Sequence, residues 1–161
     1  MKSIFLFFVA VLALANNAAV AQEPTKLSPA KSAPSTSELE AKFIATFTNA
    51  TLTGRACSMK DGQLGPDKED TYTVVSIAKT SGDNWTITAR ISRDGNSFDV
   101  PLPIKVQWAG DAPVLIIENL AFGGQRTYSA RVLVYDNAYA GTWSAGDHGG
   151  LVNGVITHAA K

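Results

Sequence analysis

From Ser97 to Trp108 the chain alternates without a break: Phe98, Val100, Leu102, Ile104, Val106 and Trp108 are apolar, and Ser97, Asp99, Pro101, Pro103, Lys105 and Gln107 stand between them. Successive side chains of a strand point to opposite faces, so this is a strand with one dry face and one polar or proline face. Backbone donors at alternate positions point to the same lateral side. Pro101 and Pro103 therefore remove two donors from one edge, and that edge cannot carry a regular ladder. A sheet edge, a bend or a break in closure is expected at 101–103.

The same period runs through most of what surrounds it. Trp85, Ile87, Ala89 and Ile91 alternate with Thr86, Thr88, Arg90 and Ser92, and Thr71–Ala78 is rich in β-branched residues. Turn chemistry separates the runs at Ser81-Gly82-Asp83-Asn84, Asp94-Gly95-Asn96, Ala109-Gly110-Asp111-Ala112-Pro113, Gly123-Gly124 and Asp136-Asn137. Two further strands follow from Val114–Leu120 and Thr127–Tyr135. No stretch carries a helical stripe. Phe43, Ala45 and Phe47 read as one face of a strand, with a bend near Asn49-Ala50 because Leu52, Gly54 and Ala56 have the opposite parity.

The chain closes with two alternating runs flanking Gly146-Asp147-His148-Gly149, a hairpin whose expected register pairs Trp143 with Val152, Gly141 with Gly154 and Tyr139 with Ile156. Two glycines then face each other, leaving a gap for a large ring or a close backbone. The fold class expected is all-β: an antiparallel up-and-down or nearly closed β-barrel of eight or nine strands, with a two-sheet sandwich as the alternative. A barrel needs its last strand to seal against an earlier one, and a glycine-paired terminal hairpin suits that role.

The chain divides into three parts. Residues 1–21 read as a signal peptide: Lys2, an apolar run from Ile4 to Ala15 too short to span a bilayer, and Ala19-Val20-Ala21 before the expected cleavage at Gln22. Residues 22–40, with Pro24, Pro29 and Pro34 and few sizeable apolar side chains, read as a disordered leader. Residues 41–161 are the right length for a single β domain. The product is expected outside the cytoplasm, secreted or periplasmic, with no stable membrane insertion after cleavage.

Composition excludes several classes. The formal net charge is zero, so nothing attracts nucleic acid. The lone cysteine, Cys57, forbids an intrachain disulfide and reads as a small buried hydrophobe, with an intermolecular disulfide as the alternative. His148 and His158 are the neutral-pH proton shuttles available, but no Cys, His or acidic cluster with ligand spacing surrounds either. His148 beside Asp147 reads as an exposed turn pair. Without a nucleophile elbow or a phosphate-cradling loop, no catalytic residue, metal ligand or cofactor is assigned, and an enzyme is not expected.

Gly141-Thr142-Trp143 resembles the Gly-x-Trp signature of the calycin superfamily, the lipocalins and avidins, although it lies near the C-terminus and not in the first strand. A longer pattern is similar to small exported bacterial proteins: Trp108-Ala-Gly-Asp-x-Pro113, Ala130-Arg131-Val132, Tyr139-Ala-Gly-Thr-Trp143 and Gly149-Gly150 with Gly154. The resemblance implies a calycin-like barrel and supplies no activity. The function expected is an exported calycin-like binding module for a small apolar or amphipathic ligand, lined by Trp85, Phe98, Trp108, Tyr128 and Trp143. The alternative is a structural or interaction protein of the cell envelope with a solid core and no ligand. Arg90 and Arg131 are expected over tryptophan faces.

Overall fold

The computed structural model of the protein describes residues 33–93, 96–121 and 126–159. The signal peptide, most of the proposed leader and the turns at Asp94-Gly95 and Gly123-Gly124 lie outside the described residues. A helix comes first: α1, Thr36–Phe47. Nine strands follow, β1 (Ala50–Lys60), β2 (Gln63–Leu64), β3 (Lys68–Ser81), β4 (Asn84–Arg93), β5 (Asn96–Ala109), β6 (Ala112–Ala121), β7 (Thr127–Tyr135), β8 (Ala138–Ala145) and β9 (His148–His158). From β3 onward each strand pairs antiparallel with the next, and β1 pairs with β3 on one side and with β9 on the other. The β1–β9 ladder, from Ala50↔His158 to Met59↔Gly149, closes an eight-stranded barrel. The short β2 is the extra strand, continuing the β3 side of β1 through Met59↔Leu64.

The helix corrects the reading of Phe43 and Phe47 as a strand face. The two are spaced i, i+4, which also places them on one helical face, and they are 2% and 1% exposed. Ser35 and Glu38 form a capping box: the Glu38 carboxylate accepts from the Ser35 amide at 2.7 Å, and Ser35 Oγ accepts from the Glu38 amide. Because α1 begins at Thr36, the boundary drawn between residues 40 and 41 falls inside it. Asn49, at φ 55°, turns the chain from helix to strand. Its amide donates to the carbonyl of Val75 at 3.2 Å, and Val75 is the residue that the β3–β4 ladder skips between Val74 and Ser76.

Phe43 and Phe47 plug one end of the barrel. Phe43 meets Phe47, Trp85 and Trp108 with ring centroids 4.9, 5.2 and 6.1 Å apart, the two tryptophans nearly perpendicular to it. Around them pack Ala50, Val74, Ile77, Ile87, Ile104, Val106, Leu115, Val134, Tyr139 and Ile156. Burying each phenylalanine contributes about 1.5–3 kcal/mol, which is what holds a twelve-residue helix that is marginal alone. A Glu40–Lys79 ion pair ties α1 to β3. The cation near a tryptophan is Lys79, 5.9 Å from the Trp85 ring centre, and neither arginine takes that role. Arg90 makes two bonds to Asp99 on β5, and Arg131 bonds Glu118 and the Ile117 carbonyl on β6. Both face outward, and acids on the neighbouring strand capture them.

The proline edge behaves as its chemistry requires. β5 pairs with the whole of β4, from Arg93↔Asn96 to Asn84↔Lys105, including Thr88↔Pro101 and Thr86↔Pro103. Its ladder to β6 covers only Lys105↔Ile116 to Ala109↔Ala112. The barrel wall is therefore unlaced between β5 and β6 where the donors are missing.

The terminal hairpin turns on two residues, Gly146-Asp147, and not four. The register is Ala145↔His148, Trp143↔Gly150, Gly141↔Val152 and Tyr139↔Gly154, two residues from the expected one. A shift of two keeps every side chain on its face. The glycine that faces Gly154 is Gly54 of β1, across the closing ladder.

Candidate functional site

The meander puts the β3–β4, β5–β6 and β7–β8 turns at the α1 end of the barrel, and the C-terminal ends of β4 and β6 with the β8–β9 turn at the other. Parity then says which side chains face in. Tyr72 shares its face with buried Val74, Phe98 with Ile104 and Val106, Tyr128 with Val134, and Trp143 with Tyr139. In a filled barrel all would be covered. Instead Tyr72, Phe98 and Tyr128 are 45%, 46% and 39% exposed, and Trp143 is half-buried. The far end is a mouth ringed with aromatic residues.

The five residues expected to line a ligand cavity therefore separate. Trp85 is buried in the packed end, and Trp108 sits beside it against Phe43. Phe98, Tyr128 and Trp143 belong to the mouth. A cavity of about 100 Å³ lies at the packed end beside Leu39, Phe43, Trp108, Val134 and Tyr135. A concavity of about 380 Å³ opens on the outer wall, where Thr53, Arg55, Glu69, Thr71 and Asn153 have outward parity.

Sequence reasoning missed the polar part of the mouth. The register sets Asp70, Gly54, Gly154 and Tyr139 in one inward row across β3, β1, β9 and β8. With no side chain on the two glycines, the Tyr139 ring lies across them. Its hydroxyl is 2.5 Å from where a Cβ on Gly54 would stand and 2.6 Å from where one on Gly154 would stand. Tyr72 donates its phenol proton to Asp70 Oδ2. Tyr139 is 4% exposed, and its hydroxyl has no hydrogen-bond partner among the described residues. Trp143 Nε1 is likewise buried and unpartnered. Burial, then the hydrogen bond to Asp70 and its charge, push the Tyr72 phenol well above its ordinary value. Burial and then the Asp70 charge do the same to Tyr139. Both stay neutral at physiological pH.

His148 crosses Trp143 edge-on, with ring centres 5.6 Å apart, and its Nδ1 is 3.1 Å from Asp147 Oδ1. That bond holds the exposed Asp147 carboxyl below its ordinary range. Among the described residues no second acid joins the pair, and no group of three His, Cys, Asp or Glu gathers as for a metal. No helix among them is long and apolar enough to cross a membrane.

The closed eight-stranded antiparallel barrel is compatible with a calycin-like architecture. Comparison with protein-family models, with curated proteins and with solved structures found no significant match for this chain.

Proposed function

We propose that the chain is an exported, calycin-like barrel, of the kind its Gly-x-Trp pattern resembles, that binds a small amphipathic molecule at its open end. One observation carries the reading: Tyr72, Phe98 and Tyr128 face inward by register and are nevertheless exposed. Inward aromatic surface left wet costs about 25 cal/mol per Å² that filling the mouth would recover. The ligand is gripped at the mouth and is not swallowed, because the lower half of the interior is occupied by the Phe43 and Phe47 plug.

A second reading, an envelope interaction protein with a solid core, has its own support. Binding sites for drug-sized molecules have volumes of roughly 300–1,000 Å³, and the cavity that touches a tryptophan is about 100 Å³. The outer wall also exposes Leu133, Tyr135 and Val155, which the register joins through Ala138 and Ala140 into one apolar patch.

Binding of the neutral fluorescent dye Nile red, before and after Phe98→Ser with Tyr128→Ser, separates the two. Both residues are exposed, so melting should barely move. The mouth reading expects dye affinity to fall at least about tenfold, as loss of two aromatic contacts implies. Unchanged dye binding transfers the case to the outer wall, where Leu133→Ser with Tyr135→Ser becomes the informative pair.

A further inference from the structure

We infer that the mouth selects an organic ammonium ion with an apolar body, its head group held by Asp70 and its body lying against the aromatic ring of the mouth. The inference rests on the mouth-binding reading and names the ligand's chemistry.

Asp70 is half-buried on the inward face of β3, where the ladders set it in one row with Gly54, Gly154 and Tyr139, and its own strand carries Tyr72 and Lys68 two residues to either side. A carboxylate drawn out of water needs a cation or several donors to offset the desolvation. Asp70 has one donor, the Tyr72 phenol, and it forms no ion pair among the described residues. Lys68 lies two residues away on the same face, exposed, and forms no ion pair with it. The acids and bases nearby on β1 and β3, Arg55, Asp67 and Glu69, have outward parity or sit before the strand, and Arg55 turns to Asp67.

An independent observation points to the same place. The Tyr139 hydroxyl is deeply buried, unpartnered and laid over Gly54, the residue that faces Asp70. Buried hydroxyls are rarely left without a partner. An ammonium head brings the free Asp70 oxygen both an N–H donor and the opposite charge, beside a Tyr139 hydroxyl that has no other partner among the described residues. An alcohol can donate to Asp70 and accept from Tyr139, but it brings no positive charge to offset that of the carboxylate. A carboxylate ligand would meet Asp70 as a like charge. Tyr72, Phe98, Tyr128 and Trp143 supply ring faces at the same end of the barrel, the surface an alkylated ammonium prefers.

The test uses the full chain and three probes of equal length: hexylammonium, hexanol and hexanoate, titrated at neutral pH with calorimetric readout. Hexylammonium should bind at least about tenfold tighter than hexanol, the order expected when one charge-assisted bond is added. Hexanoate should bind more weakly than hexanol. Asp70→Asn should bring hexylammonium to the level of hexanol. Tyr72→Phe, which frees the second carboxylate oxygen, should tighten hexylammonium and leave the order of the three intact. Equal binding of ammonium and alcohol to the parent overturns the inference while the mouth-binding reading stands. Failure of all three to bind overturns both. The parent comparison needs no variant, so a poorly folding Asp70→Asn does not rescue the idea.

Discussion

Tyr139→Phe removes one oxygen and leaves the ring. In most proteins deleting a buried tyrosine hydroxyl destabilises, because the hydroxyl was bonded; each such bond contributes about 0.5–1.5 kcal/mol. Here the hydroxyl is buried without a partner over Gly54 and Gly154. An unsatisfied buried polar group costs about 1–3 kcal/mol, so its removal should stabilise the ligand-free protein by about 1 kcal/mol. For a domain of this size that is a rise in melting temperature of about 3–5 °C. Calorimetric melting of parent and variant side by side decides the sign. A fall in melting temperature would show that the hydroxyl has a partner in the folded protein, a water bridging to Asp70 being the simplest, and would refute the reasoning from an orphaned donor. The alkaline limb gives a second check. Folded Tyr139 and Tyr72 titrate above the ordinary value of 10.0, so the stability they contribute is intact below pH 10 and is lost as the pH climbs toward their raised values. With one of the two removed, stability should fall less steeply above pH 10.

Three further outcomes follow from the same geometry. Gly54→Ala sets a methyl against the Asn153 carbonyl, 2.5 Å from Tyr139 Oη and 2.7 Å from Gly154 Cα, and should cost at least about 1–3 kcal/mol by urea midpoint, whereas Gly110→Ala meets nothing within 4 Å and should cost only the strain of its φ of 67°. Phe43→Ala empties the plug and should cost about 3–5 kcal/mol, read as a lower urea midpoint with hexylammonium affinity unchanged in whatever fraction stays folded. Glu118, held below its ordinary 4.5 by Lys105 first and then Arg131, should stabilise the β5–β6–β7 outer wall above that pH and cease to do so as the pH falls through its depressed value, which an NMR titration of its side-chain carboxyl measures directly.

Strand character was legible because it is written at the scale of two residues. The alternation from Phe98 to Trp108 survives in β5, and the missing donors of Pro101 and Pro103 appear as the unlaced stretch beside β6. Closure into a barrel was legible for a related reason, since so many antiparallel strands must end on an edge or on one another. The helix was not, although Ser35 and Glu38 form a capping box, because Phe43, Ala45 and Phe47 satisfy a period of two as well as the i, i+4 pair. Five residues cannot distinguish the periods; the plugging of a barrel end does. The hairpin register was wrong by two because Gly146, Asp147 and Gly149 all tolerate turn geometry, and turn length is chosen by what β9 pairs with on its other side, β1. The mouth was hidden for the same reason. Asp70 lies ahead of the β-branched run that starts at Thr71, and only the β1 ladder places it opposite Gly54.

The two ends of the barrel differ in packing, and residue size is the cause; under the proposed binding at the mouth this division separates stability from recognition. At the α1 end the inward positions are large and branched, Ile77, Trp85, Ile104, Val106 and Leu115, and two phenylalanines from outside the barrel complete the packing. Toward the mouth the same inward faces of β1, β8 and β9 carry Gly54, Ala56, Gly141, Gly150 and Gly154. These glycines bring neighbouring backbones so close that a Cβ would overlap them: Gly54 against Asn153, Gly141 against Arg131, Gly150 against Cys57. A wall drawn in that tightly cannot be filled by its own side chains, so the aromatic residues facing it from β3, β5 and β7 have little to pack against and remain wet. Exposure of Tyr72, Phe98 and Tyr128 is thus a consequence of the glycines as much as of the aromatics themselves. It follows that mutations at the plug should move melting and spare recognition, while changes of ring or charge at the mouth should do the reverse; Tyr139, packed below and polar above, is the residue at which the two should couple.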